Sequence, residues 1–169
     1  MSLRIGILTV SDRSFRGERP DQSGPALADF ARTRGWNVVE LGLVPDELDH
    51  IVSLLTQWCA RDHLDVILTT GGTGFAPRDV TPEATRRVIE REAPGVAELI
   101  RLESLKITPH AALSRGVAGI CQRTIIINLP GSPKGAVDGL RIVADVLPHA
   151  VQLLREAPDA EQGHHAKQG

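Results

Sequence analysis

Short, nearly continuous apolar runs alternate along this chain with longer segments whose apolar residues recur every three or four positions. Runs of the first kind cover residues 4–10 (Arg-Ile-Gly-Ile-Leu-Thr-Val), 36–44 and 65–70, as expected for strands buried on both faces. Between the first two, residues 21–35 carry Ser23 as an N-cap, Pro25 in the first turn, apolar Leu27, Phe30 and Ala31, and Gly35 as a stop signal. After Pro45 and Asp46, Leu48, Ile51, Leu54, Leu55 and Trp58 recur at helical spacing, and Thr81-Pro82-Glu83 supplies an N-cap, an early proline and an early acid to a further helix. A helix over 94–106 has Val96, Leu99, Ile100 and Leu102 as its apolar face. Residues 117–121 and 124–129 read as a tight strand pair around Gln122-Arg123.

Pro130-Gly131-Ser132-Pro133 then breaks the chain. A long last helix follows, faced by Val137, Leu140, Val143, Ala144, Leu147, Val151 and Leu154, which Pro148 kinks or splits. The apolar pattern stops at Ala157, so residues 1–156 are expected to form the domain and 157–169 a disordered tail. Strands alternating with helices imply right-handed crossovers, hence an α/β three-layer sandwich around a mostly parallel sheet. In that architecture ligands gather beyond the carboxyl ends of the strands. Four segments lie there: Ser11-Asp12-Arg13, Pro45-Asp46-Glu47, residues 69–82, and Pro130 to Lys134.

Composition narrows the function. The 169 residues, 41% hydrophobic and 24% charged, suit one globular domain, and no stretch approaches the ~20 apolar residues of a membrane span. A net charge of −2 with 3% aromatic residues argues against a nucleic-acid surface, while a small anionic ligand stays open. The chain enters its first apolar run without a basic leader, so a cytoplasmic location is expected. Cys59 and Cys121 lack metal-ligand spacing and read as buried thiols, and Trp36 and Trp58 read as core. His50, His63, His110 and His149 are scattered, and His164-His165 belongs to the tail, so no histidine ligand set emerges.

Gly71, Gly72 and Gly74 remove Cβ obstruction, so backbone N–H groups can converge on a phosphate; the same run also reads as a turn that merely lets strand and helix pack. It matches neither a P-loop nor a dinucleotide fingerprint. Asp46 and Asp79 flank it. Each also reads as a helix cap, or, for Asp79, as a partner of Arg78. Taken with the glycine loop, the two acids offer oxygens for Mg²⁺ beside phosphate donors, which nucleotidyl transfer requires. Lys134, Arg13, Arg78 and Arg115 could supply positive charge to a pyrophosphate, or be solvated surface charges. Ser11, Ser104, Ser114 and Ser132 have no base arranged to make any of them a nucleophile.

Together these segments resemble the MoaB/Mog family of molybdopterin-binding proteins. The matching residues are Ser11-Asp12-Arg13 with Asp21-x-Ser23-Gly24-Pro25; Val44-Pro45-Asp46-Glu47; Thr69-Thr70-Gly71-Gly72-Thr73-Gly74; Pro77-Arg78-Asp79-Val80-Thr81-Pro82-Glu83-Ala84-Thr85; Leu113-Ser114-Arg115; and Asn128-Leu129-Pro130-Gly131-Ser132-Pro133. The resemblance implies a molybdopterin-binding fold, usually homotrimeric. Active members transfer AMP from Mg-ATP to the terminal phosphate of molybdopterin, giving adenylylated molybdopterin and pyrophosphate. It implies catalytic and Mg²⁺-holding roles for Asp46 and Asp79. Substrate-binding roles fall to Ser11, Asp12, Gly71, Gly72, Thr73, Gly74, Ser104, Ser114, Pro130, Gly131, Ser132 and Lys134. Hand-over of the product to a metal-insertion protein would follow. A non-catalytic molybdopterin carrier, or a silent paralogue, is the alternative.

Overall fold

The computed structural model describes residues 1–156; the tail expected over 157–169 lies outside the described residues. In chain order the elements are β1 (Arg4–Val10), α1 (Asp12–Phe15), α2 (Ser23–Thr33), β2 (Asn37–Val44), α3 (Leu48–Ala60), β3 (Val66–Thr70) and α4 (Thr81–Val88). There follow β4 (Arg91–Glu92), α5 (Pro94–Leu105), a 3-10 turn at Pro109–Leu113, β5 (Ala118–Cys121), β6 (Thr124–Leu129), α6 (Pro133–Val143) and α7 (Leu147–Leu154). The strands form one sheet in the order β2-β1-β3-β6-β5-β4. β2, β1, β3 and β6 run parallel, whereas β5 turns back on β6 through Gln122, at φ +54°, and pairs antiparallel, as does β4. That turn is the tight connection expected around Gln122-Arg123.

Side chains along the central strands alternate between two cores, which is why the apolar runs are unbroken. Ile5, Ile7, Val66, Leu68, Ile125 and Ile127 face one layer, with Leu27 and Ala31 of α2, Ile100 of α5, Leu140 of α6 and Val151 of α7. Leu8, Val10, Ile67 and Ile126 face the other, with Ile51, Leu55 and Trp58 of α3 and Ala84 of α4. Helices therefore cover both faces, as the alternation predicts. Trp36 and Trp58 are core residues, and Cys59 and Cys121 are buried free thiols. No helix among the described residues is long and apolar enough to cross a membrane. At the amino end of the sheet, Asp65 is 2% exposed and accepts from the Arg4 N–H at 2.7 Å, Arg4 Nη2 at 3.0 Å and Arg155 Nε at 2.7 Å. Burial pushes its carboxyl up, but these donors outweigh it and hold Asp65 below the ordinary carboxylate range.

Three local expectations change, and the choice left open at Pro148 is resolved. Ser23 is not the cap of α2: its hydroxyl donates to Asp21, and the Asp21 carboxylate accepts from the Gly24 N–H at 3.1 Å. Thr81 is not the cap of α4, because its hydroxyl is turned inward toward Gly71 O. The last helix is split, with residues 144–146 separating α6 from α7 and Pro148 in the first turn of the second piece, where a missing N–H is harmless. On α5 the buried residues are Ala97 and Ile100, while Leu99 and Leu102 face outward. Apolar residues occupy more than one side of that helix, so periodicity alone could not choose the buried one.

Candidate active site

The chain leaves β1, runs through α2 to β2 on one side, then crosses to β3 on the other. The connections that leave the paired carboxyl ends of β1 and β3 thus run in opposite directions, the arrangement of a topological switch point. Gly71, immediately after β3, has φ +102°, and a Cβ there would lie 2.2 Å from the Val10 carbonyl oxygen. Only glycine permits this backbone approach between the two strand ends. Gly72, at φ +66°, would put a Cβ 2.4 Å from Thr81 Oγ1 and 3.1 Å from Asp46 Oδ1.

The loop is tied on both sides. Thr81 Oγ1 donates to Gly71 O at 2.9 Å, the Gly71 N–H donates to Leu129 O at 3.2 Å, and Thr70 Oγ1 donates to Pro130 O at 2.6 Å. The loop after β6 comes close enough that a Cβ on Gly131 would sit 3.2 Å from the Gly71 Cα. Beneath it, buried Asn128 donates through Nδ2 to Thr69 and Thr85, each at 2.9 Å, fixing β3, β6 and α4 together.

Asp46 does not cap α3. Its Oδ2 accepts from the Asp12 N–H at 2.8 Å, and Asp12 Oδ1 accepts from the Asp46 N–H at 3.0 Å, a reciprocal clasp between the loops after β1 and β2. Arg78 closes it by donating to Asp12 at 2.5 and 3.0 Å, which holds the Asp12 carboxyl below the usual range. Asp46 behaves oppositely: burial, then the negative charges of Asp12 and Asp79, raise its carboxyl above that range. Asp79 does not pair with Arg78. Its Oδ2 accepts from the Ala76 N–H at 3.0 Å, closing its own loop.

Two cavities meet at the glycine loop. One, of about 560 Å³, is polar and lined by Ser11, Asp21, Asp46, Gly71 and Asp79 among others. The second, of about 620 Å³, has Thr73, Gly74, Ser104, Ser114, Pro130 and Lys134 on its wall together with apolar Ile107, Ala111 and Leu113. Gly72, Asp79, Gly131 and Ser132 line both. Of the residues to which the resemblance gives a site role, only Asp12 lines neither cavity; it reaches the site through Asp46.

The other candidates divide by what already holds them. Ser11 Oγ accepts from the Ser14 N–H at 3.2 Å and Ser132 Oγ from the Gly135 N–H at 3.1 Å, so both cap helices while lining the site. Lys134 pairs with Asp138 at 2.6 Å but is 80% exposed, so its ammonium can swing. Arg78 and Arg115 are committed to protein partners, and Arg13 lines neither cavity. Arg19 is the cation that sequence reasoning missed: it lines the first cavity, in a stretch with neither periodicity nor motif to mark it. Asp21 was visible as part of a matching segment, but not its bond from Thr9 Oγ1 at 2.7 Å, which joins strand to helix.

The family profile described as "Probable molybdopterin binding domain" matches residues 6–149. The molybdenum cofactor synthesis protein cinnamon of Drosophila melanogaster is 46% identical over 167 residues, which is 98% of this chain but only 28% of that protein. A molybdopterin adenylyltransferase of Helicobacter pylori is 42% identical over 155 residues, covering 90% of this chain and 88% of its own length. Among solved structures, the molybdopterin biosynthesis enzyme MoaB from Thermus thermophilus superimposes with a TM-score of 0.86 at 55% identity, over 91% of this chain and 97% of that one. Because the profile spans nearly all of the sheet and its loops, and these relatives align along most of the chain, this chain belongs to the molybdopterin binding domain family.

Proposed function

We propose that this chain is a molybdopterin adenylyltransferase, which transfers the adenylyl group of Mg-ATP to the terminal phosphate of molybdopterin. The observation that carries this reading is the meeting of two cavities at Gly72, Asp79, Gly131 and Ser132, so that two ligands can abut over one glycine loop. The polar cavity, with Arg19 and the carboxylates of Asp21, Asp46 and Asp79, suits Mg-ATP. The second, part apolar with Ser104, Ser114 and Lys134, suits a pterin bearing a phosphate. A phosphate oxygen of the pterin attacks the α-phosphorus, a new P–O bond forms, and the bond to the β-phosphate bridging oxygen breaks as pyrophosphate leaves.

The chain's contribution is position and charge. Glycine-loop N–H groups orient phosphate oxygens, and the tied loops hold the two ligands in line. Asp46 Oδ1 and Asp79 Oδ1 accept no hydrogen bond from the described residues, so each carboxylate has an oxygen for Mg²⁺. No group of three or more His, Cys, Asp or Glu among the described residues is arranged to hold a metal, so phosphate and water would complete the set, as is usual for this ion. When bound, Mg²⁺ offsets the charge of the triphosphate and of the departing pyrophosphate. No serine here has a base beside it, and no covalent protein intermediate is required.

The relatives named as adenylyltransferases favour catalysis over a carrier role. Buried free thiols accord with a cytoplasmic setting. The reading extends to a homotrimer that passes adenylylated molybdopterin to a metal-insertion protein; exposed Leu99, Leu102 and Leu105 along one side of α5 give self-association an apolar surface. The central test incubates the purified protein with molybdopterin and Mg-ATP and follows pyrophosphate and adenylylated pterin. Asp79→Asn is expected to slow transfer by about 100-fold or more while pterin affinity stays within a few-fold. Equal loss of both would make Asp79 a structural residue, and tight pterin binding without product in the wild type would leave a carrier.

A further inference from the structure

The loop carrying Asp79 has few internal hydrogen bonds. Within residues 74–79 the bonds are Asp79 N–H to Ala76 O at 2.9 Å and Ala76 N–H to Asp79 Oδ2 at 3.0 Å, and Phe75 at its tip is 70% exposed. The side chain of Arg78 ties the loop to Asp12, but its terminal carbonyls are held to the body of the protein by Arg115, in the segment between the 3-10 turn and β5. The Arg115 N–H donates to Thr73 O at 2.8 Å, Nε to Gly74 O at 2.7 Å and Nη2 to Asp79 O at 2.7 Å. Nη1 donates to Glu83 on α4, and this pairing holds the Glu83 carboxyl below the usual range. One planar guanidinium therefore grips the carbonyls at both ends of the loop and anchors them to a helix. Among the described residues, no other side chain donates to Gly74 O or Asp79 O. Arg115 lines neither cavity, and all three of its side-chain nitrogens are engaged, so it is not arranged to meet a phosphate.

We propose that Arg115 is a positioning residue for adenylyl transfer, setting the place of Asp79 at the junction of the two cavities by bracing both ends of the 74–79 loop. The proposal rests on the adenylyltransferase reading above. Lysine cannot replace it, because a single ammonium lacks the fixed fork that reaches two carbonyls and a carboxylate at once.

The test compares wild type with Arg115→Met, Arg115→Lys and Glu83→Gln. It combines amide hydrogen exchange of the ligand-free protein, molybdopterin affinity, and kcat and KM for ATP. In Arg115→Met, exchange across residues 74–79 is expected to rise about tenfold or more while the amides of β1 and β3 keep their protection. kcat is expected to fall by about 30-fold or more, with pterin affinity within about threefold. Arg115→Lys should recover less than about a tenth of the lost kcat, added guanidinium should restore part of it to Arg115→Met, and Glu83→Gln should show a smaller loss in the same direction. Unchanged exchange in 74–79, or full recovery of kcat by lysine, would overturn the proposal. If Arg115→Met does not fold, Arg115→Lys and Glu83→Gln decide it on the same two criteria. Absence of product from the wild type would defeat the adenylyltransferase reading alone, since the exchange result needs no substrate.

Discussion

Asp46 is held where its charge is least comfortable. Burial and the neighbouring carboxylates of Asp12 and Asp79 raise its carboxyl above the ordinary range, so the folded protein binds that proton more tightly than the unfolded chain. A folded-state pKa above the unfolded value means a destabilising contribution at pH 7 that disappears as pH falls and the carboxyl protonates. Asp46→Asn is therefore expected to raise the thermal midpoint of the ligand-free protein at pH 7, with the gap closing on acidification, while adenylyl transfer is lost. A lower midpoint at pH 7 would mean that the bond from the Asp12 N–H matters more than the like charges. Under the proposed Mg²⁺-holding role of Asp46, a bound cation would offset this repulsion.

Among the secondary elements, the turn after β3 depends most on a single residue. Gly71 combines φ +102° with a Cβ position 2.2 Å from the Val10 carbonyl oxygen, so Gly71→Ala must both strain the backbone and push β1 and β3 apart. The expected loss is about 2–4 kcal/mol, read as a shift of the urea midpoint at constant slope. An alanine variant as stable as wild type would show that the two strand ends separate freely. The glycine run was legible in the sequence as an obstruction-free turn, and so were the strands on either side of it. What could not be read was the partner: Thr81, a helix cap by sequence, spends its hydroxyl on Gly71 O, because burial at 0% exposure leaves that carbonyl as its acceptor.

At the level of the whole molecule, three parallel pairings and two antiparallel ones gather the loops after β1, β2, β3 and β6 at one edge. That edge is where Asp46, Asp79 and the glycines meet, and the opposite end is closed by Asp65 with Arg4 and Arg155. The exposed leucines of α5 lie beyond both cores. If the homotrimer forms through them, the mass in solution should be three times that of one chain and should fall in Leu102→Glu, because burying an unpaired charge in an apolar contact is unfavourable. A wild-type mass of a single chain would remove the trimer from the proposal without touching the site.

The sequence by itself determined the layer architecture, five of the six strands to within a residue or so (the two-residue β4, Arg91–Glu92, carries no periodicity to mark it), and the loops that line the two cavities. These depend on local periodicity and on residues such as glycine and proline whose backbone limits do not wait for a partner. It also offered four basic residues as equals. Tertiary structure separated them: Arg78 clamps Asp12, Arg115 braces the Asp79 loop, Arg13 stands away from both cavities, and Lys134 lines the second cavity, exposed and paired with Asp138. It added Arg19, which no pattern marked, and it chose Ala97 and Ile100 over Leu99 and Leu102 as the buried side of α5. The physical reason is the same in each case. A charged or apolar side chain is assigned its role by what the fold brings within a few ångströms of it, and those neighbours lie far away in sequence.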